Sequence, residues 1–213
     1  MKNLKLVFLT ILTTILVATV IFLASLSVSK QSPKQEISQE EHFKHHNLLL
    51  INKELINKPA IDFELPDIKG KTYSLKDFRG KNIILFFNEG AMCYPSCWQQ
   101  IIALTKDKRF TAENTIAFSI IVDPPEEWQK AIQKMPELNQ AIVLFDINKS
   151  VSKNFGMLTV PSSMHPGLYP GHSYVIIDQN GIIRYILDDP DMGIRNDFLL
   201  QEIQKINRSI NQN

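Results

Sequence analysis

An excess charge of either sign is missing from the sequence. Its 23 Lys and Arg residues face 22 Asp and Glu, a net charge of +1. That excludes the electrostatic footprint of a nucleic-acid binder. Glycine is scarce, eight in 213 residues, and apolar residues make up an ordinary 44%, which describes a globular chain and not a disordered one. No internal repeat appears, so stacked-repeat architectures are not indicated. Cysteine is nearly absent: Cys93 and Cys97 are the only two. There is no lipobox cysteine after the N-terminal apolar run.

That run is the longest apolar stretch of the chain. After Lys2 and Lys5 comes LVFLTILTTILVATVIFLASLSVS, residues 6–29, with no charged residue. As a helix it reaches about 36 Å, enough to cross a hydrocarbon core of ~30 Å. The apolar part of a cleaved signal peptide is normally only about 7–15 residues, and the segment from Ala24 to Ser27 is a poor cleavage site. The sequence therefore predicts an uncleaved single-span anchor at 6–29. Residues 1–5 would be cytoplasmic, residues 30–56 a polar tether with a short helix, and residues 57–213 an extracytoplasmic domain at the cell membrane. Outside the cytoplasm a close cysteine pair can stay oxidised or be cycled by partners.

In the tether, the pattern predicts a helix around 40–55. Its HFKHH segment puts His42, His45 and His46 at i, i+3 and i+4 on one face. Metal binding and a solvated juxtamembrane helix are the two readings, and the second is preferred because no further ligand completes a site. From Pro59 onward, strands and helices alternate. IILFF (83–87), TIAFSIIV (115–122) and AIVLF (141–145) read as strands buried on both faces. Helices are expected at 97–106, 126–135, 148–154 (stopped by Gly156) and 196–210. Strands at 173–177 and 182–187 are joined through Asp178-Gln-Asn-Gly181, a hairpin signal. Parallel strands with crossover helices, followed by an antiparallel hairpin, give an α/β fold with a mixed central sheet and helices on both faces.

The cysteines lie in NEGAMCYPSCWQQI, directly after the strand at 83–87 and at the start of the next helix. Three readings compete: a catalytic redox couple, a metal claw and a structural staple. A helix N-terminus stabilises a thiolate and lowers its pKa. A second thiol one turn away can resolve a mixed disulfide. A bridge at i, i+4 is within reach, because Cα atoms there lie ~6 Å apart. A staple over so small a loop adds less than the ~3 kcal/mol of a 15-residue loop, so that reading is the weakest. Asn88 and Glu89 beside the pair are candidates for hydrogen-bonding or proton-shuttle roles, with plain solvation as the ordinary alternative. Trp98 is expected to pack beneath the pair.

PAIDFELPDIKGKTYSLKDFRGKNIILFF (59–87), DINKSVSKNFGM (146–157) and HSYVIIDQNGIIRY (172–185) resemble the AhpC/TSA redoxin family, the peroxiredoxin-like branch of the thioredoxin fold. The resemblance runs over about 57–208 and implies a thioredoxin-like fold, thiol redox chemistry and no required cofactor. Cys93 would be the exposed nucleophile, Cys97 the resolving thiol, and His172 would tune the thiolate. The partner would be a redox protein or a disulfide substrate. A typical peroxiredoxin carries Pro-x-x-x-Thr-x-x-Cys, but counting back from Cys93 gives Gly90 and Phe86, and from Cys97 gives Tyr94 and Gly90. Where the family often has a late Arg, this chain has His172. Protein disulfides are therefore the substrates expected first, with peroxides second.

The pair is also similar to that of Sco proteins, membrane-anchored copper chaperones with a Cys-x-x-x-Cys and a distant His. That resemblance implies copper held by Cys93, Cys97 and His172, a donor set suited to Cu(I). It departs in the position of the histidine and in Pro95, one place later than expected. Met164 and His165, in the loop SSMHPGLYPGH (162–172), are further soft or borderline candidates.

Overall fold

The computed structural model describes residues 39–212. The expected span at 6–29 lies outside the described residues, and among the described ones no helix is long and apolar enough to cross a membrane.

A six-stranded sheet organises the domain. Its strands are β1 (Leu49–Leu50), β4 (Asn82–Phe87), β5 (Thr115–Ile121), β6 (Val143–Phe145), β7 (Ser173–Ile177) and β8 (Ile183–Asp188), in the spatial order β1-β8-β7-β4-β5-β6. A separate hairpin pairs β2 (Glu64–Pro66) with β3 (Thr72–Ser74). β4, β5 and β6 run parallel. β7 is antiparallel to both β4 and β8. The mixed sheet follows from chain order: parallel neighbours need crossovers, and the late pair is a hairpin. At its turn, Asp178 Oδ1 accepts from the main-chain N–H groups of Asn180 and Ile182, both at 2.9 Å. Gly181 takes φ +73°, a left-handed conformation suited to glycine.

All six residues of β4 are buried, which is why Ile83 to Phe87, after the buried Asn82, read as an unbroken apolar run. Alternate residues feed two cores. Ile84 and Phe86 face helices α2 (Ser96–Lys106), α4 (Pro125–Lys134) and α6 (Asn196–Asn211), through Ile101, Trp128 and Leu199 among others. Ile83, Leu85 and Phe87 face the β2–β3 hairpin and the short helix α5 (Ser150–Asn154), through Leu65, Leu75 and Val151. Helices do lie on both faces, but the long ones share one.

The helix expected at 40–55 is shorter. Helix α1 spans Gln39–His45. It stops because Asn47 (φ 54°) and Asn52 (φ 46°) adopt left-handed conformations, which asparagine tolerates better than most residues. The chain then adds β1 to the sheet edge, with Leu49 opposite Asp188. Helix α1 is also not a solvated face. Phe43 is buried against Tyr185 and Phe198, and His42 Nε2 lies 2.9 Å from Glu202 Oε1. The short helix α3 (Lys108–Ala112), capped by Asp107, leads into β5.

Candidate active site

Strand β4 delivers the cysteines. Directly after Phe87, the Asn88 side chain folds back: Oδ1 accepts from Gly90 N at 2.9 Å, and Nδ2 donates to Phe86 O at 3.3 Å. A single turn of 3-10 helix, Gly90–Met92, follows. Gly90 has φ +63°, and a Cβ there would sit 1.7 Å from Asp123 Oδ2, so the turn closes only over glycine. The turn is fixed from two sides. Trp98 Nε1 donates to Gly90 O at 3.0 Å, and Ala91 N donates to Asp123 Oδ2 at 3.3 Å. Trp98 thus packs under the site, as expected, and adds a hydrogen bond that composition could not show.

Cys93 and Cys97 are joined as a disulfide, with Cα atoms 5.3 Å apart. Cys93 lies just before α2, while Cys97 is the second residue of that helix and donates its N–H to Cys93 O at 3.0 Å. It is therefore Cys97 that occupies the anion-favouring helix N-terminus. Cys93, expected to be exposed, is only 3% exposed, and Cys97 is fully buried. The neighbours of Cys93, Met92 (47%) and Tyr94 (64%), bracket it at the surface.

His172, at the entry to β7, is buried beside the pair. Its Nδ1 lies 3.5 Å from Cys97 Sγ, and its Nε2 lies 2.9 Å from the Tyr174 hydroxyl. Phe86 meets the ring edge-on at a centroid distance of 4.6 Å. Burial lowers the imidazole pKa to about 4, against the opposing pull of the Asp189 carboxylate. The ring is therefore neutral at pH 7. One ligand atom from each of Cys93, Cys97 and His172 fall within 4.8 Å of one another, the one such His/Cys/Asp/Glu grouping among the described residues. Two thiolates and an imidazole fit a soft cation once the disulfide is reduced, whereas the closed disulfide does not offer thiolates. Of the expected histidine cluster, His42 and His46 belong to no such group among the described residues, and the His45 side chain lies outside them.

Glu89 is buried and holds the 162–172 loop. Its Oε1 accepts from Met164 N at 2.7 Å and His165 N at 3.0 Å, and His165 Nδ1 lies 3.2 Å from Oε2. His165 is thus tied to Glu89 and is not part of the thiol group, while the Met164 side chain is exposed. Glu89 is a clasp between the cysteine turn and this loop, not a solvated acid. Beside the turn a cleft of about 400 Å³ is lined by Met92, Trp98, Asp123, Lys130, Lys134 and Tyr169, among others. Burial raises the Asp123 pKa to about 6, opposed by the Ala91 hydrogen bond.

Three functional candidates were not read from the sequence: Tyr174, Asp189 and Asp123. Tyr174 carried a usable signal, because positions 172 and 174 flank one strand residue and so share a face. Asp123, beyond the end of β5, carried none.

Comparison with known proteins agrees with this architecture. Residues 56–186 match the model of the AhpC/TSA family. A chloroplastic peroxiredoxin Q of Triticum aestivum is 30% identical over 129 residues, covering 60% of this chain and 56% of that protein. The peroxiredoxin Q of Suaeda salsa is 28% identical over 128 residues, with coverage of 60% and 56%. The chain thus spans a little over half the length of these curated relatives. Among solved structures, peroxidoxin BcpB from Mycobacterium tuberculosis superposes with a TM-score of 0.59 at 22% identity, covering 71% of this chain and 97% of that one, a likeness of fold. The reduced 2-Cys peroxiredoxin of Plasmodium vivax gives 0.58 at 27% identity, with coverage of 72% and 82%. With its family match extending over more than half of its residues, the chain belongs to the AhpC/TSA family.

Proposed function

We propose that this AhpC/TSA protein is a thiol–disulfide oxidoreductase, anchored at the cell membrane by residues 6–29 with its redoxin domain extracytoplasmic. The observation that carries the redox reading is the Cys93–Cys97 disulfide at the strand-to-helix junction, with His172 Nδ1 3.5 Å from Cys97 Sγ. The anchor rests on the uncharged apolar run behind Lys2 and Lys5.

In the reduced protein, the Cys93 thiolate attacks one sulfur of a substrate disulfide and releases the other as a thiolate, which takes up a proton. Cys97 then loses its proton and attacks Cys93 Sγ, so the second substrate sulfur leaves. Two electrons and two protons pass to the substrate, and the Cys93–Cys97 bond closes. The roles follow from position: Cys93 borders the surface residues Met92 and Tyr94, whereas Cys97 is enclosed beside His172.

Protein disulfides are the substrates favoured over peroxides. The Thr and Pro positions of the peroxidase motif are Gly90 and Phe86 counted from Cys93, and His172 is the side chain placed against a sulfur. The deciding experiment compares the full-length chain on a model protein disulfide and on hydrogen peroxide under the same thiol regeneration. Turnover of the disulfide, with peroxide consumed no faster than by free cysteine, is the expected result. Rapid peroxide turnover would replace this reading with peroxidase activity, as the names of the relatives suggest.

A copper-chaperone reading draws on one observation, the close grouping of Cys93, Cys97 and His172. The family match and the relatives do not point to it. Anaerobic copper titration of the reduced chain decides: tight stoichiometric binding lost in His172→Ala would favour it, and absence of retained copper would dismiss it.

A further inference from the structure

His172 sits among four polar or ionisable side chains, each from a different segment: Cys97 of α2, Tyr174 of β7, Asp189 after β8, and Arg195 before α6. Nε2 has two neighbours, the Tyr174 hydroxyl at 2.9 Å and Asp189 Oδ2 at 3.9 Å. The carboxylate is already taken. Arg195 Nε donates to Oδ2 at 2.8 Å and Arg195 Nη2 to Oδ1 at 2.7 Å. The main-chain N–H groups of Gly193 and Asp191 add contacts of 3.0 and 3.2 Å. These donors fill the roughly four lone-pair sites of a carboxylate. Asp189 therefore acts on the ring through its field, and the tyrosine supplies the hydrogen bond.

Tyr174 is wholly buried, and among the described residues its hydroxyl has His172 as its hydrogen-bond partner. A buried hydroxyl proton left unpaired is costly, so the hydroxyl donates to Nε2. The tyrosine ring is held independently of its hydroxyl, because it stacks on Phe86 at a centroid distance of 5.0 Å and 19° between planes.

We propose that Tyr174 is a positioning residue of the redox site: its hydroxyl donates to His172 Nε2, so that the imidazole carries its proton on Nδ1 and presents it to Cys97 Sγ. This rests on the thiol–disulfide reading above. When an incoming thiolate attacks Cys93, the Cys93–Cys97 bond breaks and its electron pair moves to Cys97 Sγ. That sulfur is enclosed away from water, and the Nδ1–H is the side-chain donor placed to receive its charge. A charge-assisted hydrogen bond there favours the reduced protein. Without Tyr174 the ring is free to carry its proton on Nε2, and the leaving sulfur loses that donor.

The test equilibrates the full-length chain with dithiothreitol as the reference dithiol, for the native sequence, Tyr174→Phe, His172→Ala and the double variant. Spectra of protein with 15N-labelled histidine report the tautomer, and thermal melting reports folding. Tyr174→Phe is expected to move the equilibrium threefold to tenfold toward the disulfide, with the proton shifting from Nδ1 to Nε2. The double variant should then match His172→Ala alone. A shift in His172→Ala but none in Tyr174→Phe would overturn the proposal and leave the redox reading standing. So would a Tyr174→Phe effect that adds to that of His172→Ala, or a melting change without a redox change. A native chain that never equilibrates with the reference dithiol would remove the redox reading and the proposal together.

Discussion

The Nδ1 of His172 lies 3.5 Å from the sulfur of Cys97, a residue 75 positions away that shares neither strand nor helix with it. That contact makes the two cysteines unequal. Cys97 has the helix N-terminus and the imidazole, whereas Cys93 precedes the helix and borders the exposed Met92 and Tyr94. A dithiol with one enclosed, supported sulfur and one near the surface reacts with external partners at the second.

Single serine variants should expose this asymmetry. In Cys97→Ser, the remaining Cys93 is expected to form a stable mixed disulfide with an aromatic disulfide reagent. In Cys93→Ser, the enclosed Cys97 should react at least about tenfold more slowly. Stopped-flow absorbance on the full-length chain measures both rates. Equal rates, or a faster Cys97, would reverse the assignment of attacking and resolving thiols.

Gly90 is expected to tolerate no side chain. Its φ of +63° and the 1.7 Å approach of a built Cβ to Asp123 Oδ2 impose two separate penalties. The left-handed backbone alone costs about 1–2 kcal/mol, and displacing a buried carboxylate brings the expected loss in Gly90→Ala to on the order of 3 kcal/mol. Denaturant midpoints measure it. Adding Asp123→Ala should recover the steric part and leave the backbone part; no recovery would mean that the clash is relieved elsewhere.

Much of this frame was legible in the sequence because it depends on periodicity. β4 and β5 read as buried strands because a strand covered on both faces is dominated by apolar residues, 83–87 in β4 and all but Thr115 and Ser119 in β5. The hairpin turn was legible from Asp178 and Gly181, since its geometry needs those residue types. Cys93, Cys97 and His172 were named by residue type, and folding brought them together. Of the two readings of Glu89, hydrogen bonding and solvation, the structure takes the first; local sequence could not decide, because its burial depends on a loop some 75 residues later. Helix α1 was drawn too long, because the apolar 48–51 segment continues the helical pattern, while Asn47 ends it through a conformation that pattern does not encode. The enclosure of Cys93 was equally out of reach, since exposure depends on the Gly90–Met92 turn.

Glu89 should set the order of the 162–172 loop. Replacing it with alanine leaves Met164 N–H without its acceptor and His165 N–H with only the longer contact to Ser163 Oγ at 3.3 Å. Hydrogen bonds to a charged group contribute about 1.5–3 kcal/mol, so amide exchange is expected to accelerate at least about tenfold at Met164 and less at His165, which keeps Ser163 Oγ. Glu89→Gln keeps one acceptor oxygen and should show an intermediate rate. Exchange unchanged in Glu89→Ala, measured by NMR or mass spectrometry, would mean that the loop is held by other contacts.

Asp123 should make stability fall as pH rises through the weakly acidic range. Burial raises its folded pKa to about 6 from an ordinary 3.8, with the Ala91 hydrogen bond opposing and the charges of Glu127 and Glu89 reinforcing the shift. Below the unfolded value both states are protonated and the group contributes nothing adverse. Between the two values the folded state holds a proton that the unfolded state releases. Above about 6 the folded state carries a buried charge at a cost on the order of 2 kcal/mol. Asparagine can still accept from Ala91 N but does not ionise. Asp123→Asn is therefore expected to gain stability relative to the native chain between pH 4 and pH 8, by that amount, with most of the change between about 4 and 6. Urea unfolding at a series of pH values isolates this difference, because every other group titrates in both proteins. A difference independent of pH would show that the Asp123 carboxyl titrates as it does in the unfolded chain, and that the cleft beside the cysteine turn is wetter than its burial implies.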